Sequence, residues 1–386
     1  MSFFSPSCPP RSAYIHWPFC PYKCHFCPFV ALASHDQFME RYHAALVKEI
    51  DQTVAQANKG TYLDTIFFGG GTPSTYPNEL LLDMFGTLRK NFTFDAATEI
   101  SIEVNPGTVK PGQLEFWKSL GINRLSIGVQ SLKDSVLKSL NRHQKAEDVY
   151  NLLQDAQHYF DALSVDLILG LPGVSVDEWK ELIEHVVLWP INHVSVYFLT
   201  IHEHTPLYFK VEDQSVELPC DDTIVSLYHW TCTMLSRHGL EQYELSNFAR
   251  KGYESRHNSA YWKRNSYYGF GLGACAFDGE RRFQNEKNLL KYMADSQKGE
   301  SVISFCETLT PQQSHLEKIM LGLRQRHGLP WSVLLSPLNP EQKQCVAGVV
   351  QTLRDDGFLT EQGDALMLTP RGLVVENQIV RRLSLQ

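Results

Sequence analysis

From residue 13 to about residue 200 the chain alternates short apolar runs with longer amphipathic stretches. The runs are AYIHW (13–17), DTIFF (64–68), EISIEV (99–104), NRLSIGV (123–129), LSVDLIL (163–169) and HVSVYF (193–198). Between the first two, Phe38, Tyr42, Leu46, Ile50 and Val54 recur at i, i+4 spacing. That is the stripe of a helix burying one face, and Gly60 stands past its end. Strands alternating with helices predict a parallel sheet. Six such units predict an α/β fold, a partial (β/α)6 barrel over residues 13–210.

A polar or glycine-rich segment follows nearly every run. These are CPYKCHFC (20–27), GGGTPS (69–74), NPGT (105–108), QS (130–131), GLPG (170–173) and LT (199–200). In parallel α/β barrels the C-terminal strand ends open on one face, where active sites are built. The segments are therefore expected to converge. That convergence says more than any one of them, because a lone GGG is usually only a tight turn.

Residues 211–310 read as an α+β extension, with a helix over 221–239 and a short strand at YELSNF (243–248). RHNSAYWKRNSYYGFGLGACAF (256–277) then packs aromatics and glycines densely. Residues 311–386 read as a small module. Leu316, Ile319, Met320 and Leu323 make one helical stripe, and Val346, Val350 and Leu353 another. GFLTEQGDALMLTP (357–370) reads as a hairpin with a Gly-Asp turn. Helices followed by a hairpin predict a winged-helix-like module, serving either packing or partner binding.

Composition narrows the function. The net charge of -8 and the lack of a basic, aromatic-interleaved run argue against a nucleic-acid binder. No apolar stretch reaches membrane-spanning length. MSFFSPSCPPRSAY lacks a charged segment followed by an apolar one, so residues 1–12 read as a disordered lead-in and not a secretory signal. The expectation is a cytoplasmic protein, at most peripheral to the inner membrane face. Cys8, Cys220, Cys232, Cys275, Cys306 and Cys345 are scattered, as in a reduced compartment.

The remaining cysteines carry the chemistry. Cys20, Cys24 and Cys27 are spaced Cys-x3-Cys-x2-Cys. Three thiolates can hold three irons of a 4Fe-4S cubane and leave the last iron open to a chelating ligand. Zinc is the competing reading. A closed zinc site takes four ligands, so His16 or His25 would have to supply the missing one.

With YIHWPFC before it, this motif resembles the radical S-adenosylmethionine superfamily. IFFGGGTPS, IEVNPGTV, GINRLSIGVQS, LNRHQ, VDLILGLPG and HNSAYW together resemble the HemW-type haem chaperones, close relatives of the HemN-type coproporphyrinogen III dehydrogenases. The resemblance runs from about residue 12 to the C-terminus. It implies that Cys20, Cys24 and Cys27 ligate the cluster and that S-adenosylmethionine chelates the open iron. Tyr14 and Phe26 would pack near both. The backbone of Gly70, Gly71 and Thr72 would approach the methionyl amino group. Glu103, Asp166 and Gln130 would accept hydrogen bonds from the cofactor, and Arg142 would meet its carboxylate.

Taken alone, Glu103 is equally a solvated strand-end carboxylate, and Arg142 a surface cation just after a helix. Asp166 lies inside an apolar run, where an unpaired carboxylate is costly.

The resemblance also separates the two relatives. The dehydrogenases resemble one another in a further cysteine, where this chain has Phe29, and in a longer N-terminal extension. HNSAYW resembles the HNxxYW motif of the HemW group. It implies His257 as an axial haem ligand, with Tyr261 and Trp262 against the porphyrin. In isolation the segment reads as a loop tied down by His257 and Asn258. His202 and His204 in TIHEHTP are further candidates for iron or propionate contact. Pro28 after the last cysteine, Cys275 and Phe277 in GLGACAF depart from the family pattern.

The implied function is a haem chaperone binding a 4Fe-4S cluster, S-adenosylmethionine and haem. Haem would pass to an acceptor protein such as a membrane cytochrome. An electron donor is implied if the cluster is redox-active, and a homodimer is compatible. The alternative is oxygen-independent coproporphyrinogen III oxidation in porphyrin biosynthesis.

Overall fold

The computed structural model describes residues 9–57 and 59–385. The expected disordered lead-in falls mostly on residues 1–8, outside the described residues. Its end is ordered: Arg11 pairs with Asp64 at 2.8 Å, and Ser12 opens the first strand.

All six predicted strands form. They are β1 (Ser12–Trp17), β2 (Thr65–Gly70), β3 (Glu99–Val104), β4 (Arg124–Gln130), β5 (Ala162–Leu169) and β6 (His193–Phe198). They lie side by side in sequence order, each neighbouring pair parallel. Helices α1 (Met39–Ala57), α2 (Asn78–Asn91), α3 (Gln113–Leu120), α4 (Ala146–Ala156) and α5 (Val176–Val186) run between them. Tyr42, Leu46, Ile50 and Val54 are fully buried, as the α1 stripe requires. Ser175 and Glu178 close a capping box at the start of α5.

The sheet extends past these six strands on both sides. The short strand β8 (Asn247–Ala249) adds antiparallel to β6, β7 (Glu241–Gln242) adds antiparallel to β8, and β9 (Tyr268–Phe270) adds parallel to β1. Among the described residues β7 and β9 do not pair with each other, so the barrel stays partial. Tyr268, Phe270, Tyr292 and Met293 share one apolar core with the strands.

Helix α6 (Asp221–Arg237) occupies the expected place. The YELSNF strand is a correction. Strand pairing there starts at Asn247, and residues 243–246 turn between β7 and β8, with an isolated bridge from Glu244 to Gln325 and the Tyr243 N–H donating to the Asn247 carbonyl at 3.1 Å. The Tyr243 hydroxyl bonds His193 Nε2 at 2.8 Å, so its side chain is drawn into the barrel. HNSAYW is helical and not a loop. It forms α7 (Arg256–Trp262), capped by Ser255, whose hydroxyl accepts the Asn258 N–H.

Strands β10 (Cys275–Phe277), β11 (Arg281–Asn285) and β12 (Ile303–Thr308) make a separate antiparallel sheet, with α8 (Leu289–Lys298) between the last two. Beyond it, α9 (Pro311–Leu323) and α10 (Pro340–Asp355) carry the two expected stripes. They bury Ile319, Leu323, Val346, Val350 and Leu353 in a second core. β13 (Leu329–Pro330), β14 (Leu359–Gln362) and β15 (Ala365–Leu368) form a small sheet there. The hairpin turns through Gly363, whose φ of 62° suits glycine.

Candidate active site: a cysteine-lined cavity at the strand ends

After β1 the chain folds CPYKCHFC across the C-terminal ends of the strands. Main-chain bonds fix it: the His25 N–H donates to the Leu140 carbonyl at 2.9 Å, and the His25 carbonyl accepts the Leu207 N–H at 3.0 Å. Cys20, Cys24 and Cys27 all line one cavity of about 460 Å³. Phe26, Gly70, Gly71, Thr72, Glu103, Gln130, Arg142 and Asp166 line it too. Five of the six strand-end segments therefore converge there, while GLPG (170–173) instead lines a separate hollow, through Pro172 and Gly173, with Leu207 and Lys210. A larger open cleft of about 1310 Å³, around Arg11, Asp64 and Lys263, contains no cysteine.

The GGGTPS segment lies directly on the cysteine loop. The Gly71 N–H donates to the Trp17 carbonyl at 2.7 Å, and the Thr72 N–H to the Phe19 carbonyl at 2.9 Å. A Cβ on Gly71 would stand 2.6 Å from the Pro18 carbonyl oxygen, so only glycine permits this approach. Thr72 Oγ1 donates to Cys20 Sγ at 3.2 Å.

Arg142 is buried beside the second cysteine. Its Nη1 lies 3.7 Å from Cys24 Sγ. Nε donates to Gln144 Oε1 at 2.8 Å, and Nη2 donates to Asn105 Oδ1 at 2.9 Å and to the Gly128 carbonyl. The solvated-cation reading of Arg142 is thereby set aside.

Two carboxylates face the cavity from β3 and β5, the strands on either side of β4. Glu103 Oε2 accepts the Gly70 N–H at 3.0 Å, and Asp166 Oδ2 accepts the Ser126 hydroxyl at 2.8 Å. Asp166 Oδ1 is buried without a hydrogen-bond partner among the described residues. Burial pushes the Glu103 pKa up to about 8, with Asp166 adding repulsion, and burial also raises Asp166. Gln130 reaches the cavity from a bulge in β4, where its φ is 65°.

Burial pushes the Cys20 thiol up to about 11 and raises Cys27. Binding a metal there would release their protons. The zinc reading gains no support. His16 Nδ1 bonds the Tyr14 hydroxyl and Nε2 the Val30 carbonyl, while His25 Nδ1 bonds the Ser139 carbonyl. Among the described residues no three His, Cys, Asp or Glu groups close on a single-ion position. Three cysteines around one cavity, a buried guanidinium beside one sulfur and an open carboxylate oxygen fit an iron–sulfur cluster with an amino-acid nucleoside against it.

Tyr14 does not line the cavity. It stands behind Glu103, its ring stacked on Phe67 at 6.2 Å. His257, Tyr261 and Trp262 are absent from the lining as well. Helix α7 packs at the opposite strand ends, where the His257 N–H donates to Glu99 Oε1 at 2.9 Å. His257 is buried, with Nδ1 bonded to Thr65 Oγ1 at 2.7 Å and Nε2 to the Tyr261 hydroxyl at 2.8 Å. Ligating a metal through His257 would require breaking one of these bonds.

Sequence reasoning passed over Asn105, Ser126, Tyr22 and Tyr197, which all line the cavity. Asn105 stood in a flagged motif, and Ser126 alternates with the apolar residues of its run. Tyr22 stood inside the flagged CPYKCHFC segment, and nothing local marked Tyr197.

The family models agree with this geometry. The Radical SAM superfamily model matches residues 14–186, and the HemN C-terminal domain model matches residues 309–375. "Heme chaperone HemW" of Bacillus subtilis is 32% identical over 374 residues, covering 96% of this chain and 98% of the relative. The chain belongs to the HemW family. The protein of the same name from Synechocystis is 32% identical over 95% of this chain and 90% of its own length. Coproporphyrinogen III oxidase (HemN) from Escherichia coli, a radical SAM enzyme, superposes with a TM-score of 0.85 at 24% identity. That match covers 99% of this chain and 92% of HemN, and establishes the shared fold.

Among the described residues no helix is long and apolar enough to cross a membrane.

Proposed function

We propose that this protein is a haem chaperone. It holds a 4Fe-4S cluster through Cys20, Cys24 and Cys27, binds S-adenosylmethionine beside it, and passes haem to an acceptor protein such as a membrane cytochrome. The observation that carries this reading is the convergence on one cavity of the three cysteines with Gly70, Gly71, Thr72, Glu103, Gln130, Arg142 and Asp166. The names of the HemW relatives support the haem assignment.

The protein's own contribution is positioning and charge. The two carboxylates offer acceptors to a cationic, hydroxyl-bearing ligand. Arg142 sets a fixed positive charge beside Cys24, which favours an anionic cluster. When bound, the cluster would supply one electron for cleaving S-adenosylmethionine if a donor reduces it. The protein then has to orient the cofactor and exclude water.

Phe29 stands where the dehydrogenases have a further cysteine, and it is 64% exposed at the cavity mouth. It favours the chaperone over coproporphyrinogen oxidation.

The test is anaerobic reconstitution, followed by iron and sulfide counts, a haemin titration, and transfer of bound haem to an apo-cytochrome. Stoichiometric cluster, saturable haem binding and transfer are expected. Conversion of coproporphyrinogen III propionates to vinyl groups would end the chaperone reading as the sole function.

A further inference from the structure

Phe29, Tyr197 and Phe198 are 64%, 42% and 38% exposed, and all three line the cysteine cavity. Single exposed aromatics are ordinary, but a group at one mouth marks a binding surface. Lys23 and His202 line the same cavity. Among the described residues the Lys23 ammonium has no ion pair and the His202 ring has no hydrogen bond. Thr205 fixes the His202 main chain by donating to its carbonyl from Oγ1 at 2.7 Å and from N–H at 3.2 Å.

Volume decides where a macrocycle can go. The cavity of about 460 Å³ lies toward the small end of pockets that hold one organic ligand, roughly 300–1,000 Å³. A cluster and a nucleoside cofactor would use that space. A haem ring must then lie across the mouth, where aromatic faces are already exposed.

We propose that His202 is an axial ligand of haem iron at this mouth. The ring lies against Phe29 and Phe198, and a propionate pairs with Lys23. Both ring edges are matched: apolar carbon meets aromatic faces, and the anionic edge meets a free ammonium. Neutral imidazole gives a lone pair to the iron and a water leaves, with no electron transferred. The inference rests on the haem-chaperone reading and adds its ligand.

The test is a haemin titration of the reconstituted full chain, read at the Soret band, on wild type, His202→Ala and His204→Ala. Iron-free protoporphyrin IX is the second probe. His202→Ala is expected to raise the haemin dissociation constant about tenfold and move the Soret band, with protoporphyrin affinity unchanged. His204→Ala, on the same loop but outside the cavity lining, is expected to match wild type in both. An unchanged constant and Soret band in His202→Ala would overturn the proposal. Haemin binding absent from wild type itself would instead overturn the chaperone reading. If His202→Ala loses its cluster, His202→Met keeps the question open to decision. It retains an iron ligand, so it must bind haemin with an altered Soret band, and a wild-type Soret band would refute the assignment.

Discussion

Glu103 Oε2 accepts the backbone N–H of Gly70 at 3.0 Å, joining the end of β3 to the GGGTPS segment that lies on the cysteine loop. One carboxylate thus faces the cavity and holds the glycine-rich segment. Burial pushes its pKa up to about 8, so at neutral pH it mostly keeps its proton. A cationic ligand favours the ionised form. S-adenosylmethionine affinity is therefore expected to rise between pH 7 and pH 9 and to lose that slope in Glu103→Gln. Equilibrium binding at several pH values checks it. The folded pKa lies above the unfolded value of 4.5, so Glu103 costs stability progressively above pH 4.5. Glu103→Gln is expected to melt higher at pH 8, by roughly 1–4 kcal/mol.

Arg142 ties Gln144, Asn105 and the Gly128 carbonyl together beside Cys24. Arg142→Ala leaves these acceptors without their donor in a buried setting. A loss of about 3 kcal/mol is expected, with iron bound below stoichiometry. Arg142→Lys is expected to recover part of the stability but not the several-armed contact. Thermal melts and iron analysis decide.

Gly71→Ala introduces a Cβ 2.6 Å from the Pro18 carbonyl oxygen and 2.8 Å from that of Phe19. Both neighbours are main chain and cannot swing aside. The cysteine loop must shift, and cluster reconstitution is expected to fall sharply while the distant C-terminal core stays folded. Iron-to-protein ratio and hydrogen exchange across the two cores measure this.

Glu49 is fully buried between α1 and α8. It accepts from the Gly271 N–H at 2.9 Å, from Asn285 Nδ2 at 2.6 Å and from the Tyr292 hydroxyl. Glu49→Ala strands these donors and is expected to cost about 3 kcal/mol. Burial pushes its pKa up to about 7. Its ionisation therefore weakens the fold as pH rises from 4.5 toward 7. Glu49→Gln is expected to lose that dependence, which denaturant melts across the window would show.

His257 is buried and neutral, and burial lowers its pKa to about 3. Its contribution is intact above the unfolded value of 6.5 and is lost as pH falls toward 3. His257→Gln is expected to be less stable at pH 7 and to melt with a shallower acid dependence. Melting temperatures from pH 7 to pH 4 test both parts.

Much of this molecule was legible in order along the chain. The six apolar runs fixed the parallel strands because sequential β/α units pack only a few ways. The Cys-x3-Cys-x2-Cys spacing fixed the cluster candidates because local spacing keeps three sulfurs together. The Tyr42–Val54 stripe fixed α1 because a helix repeats every few residues. Tertiary structure decided the rest, because it depends on which distant groups meet. It drew Arg142 beside Cys24 and bonded both His257 nitrogens to Thr65 and Tyr261. It also added β9 beside β1 and made YELSNF mostly a turn. A histidine's spacing cannot say whether its lone pair is free. Only the neighbours brought by folding settle that, and they leave His202 open while closing His257.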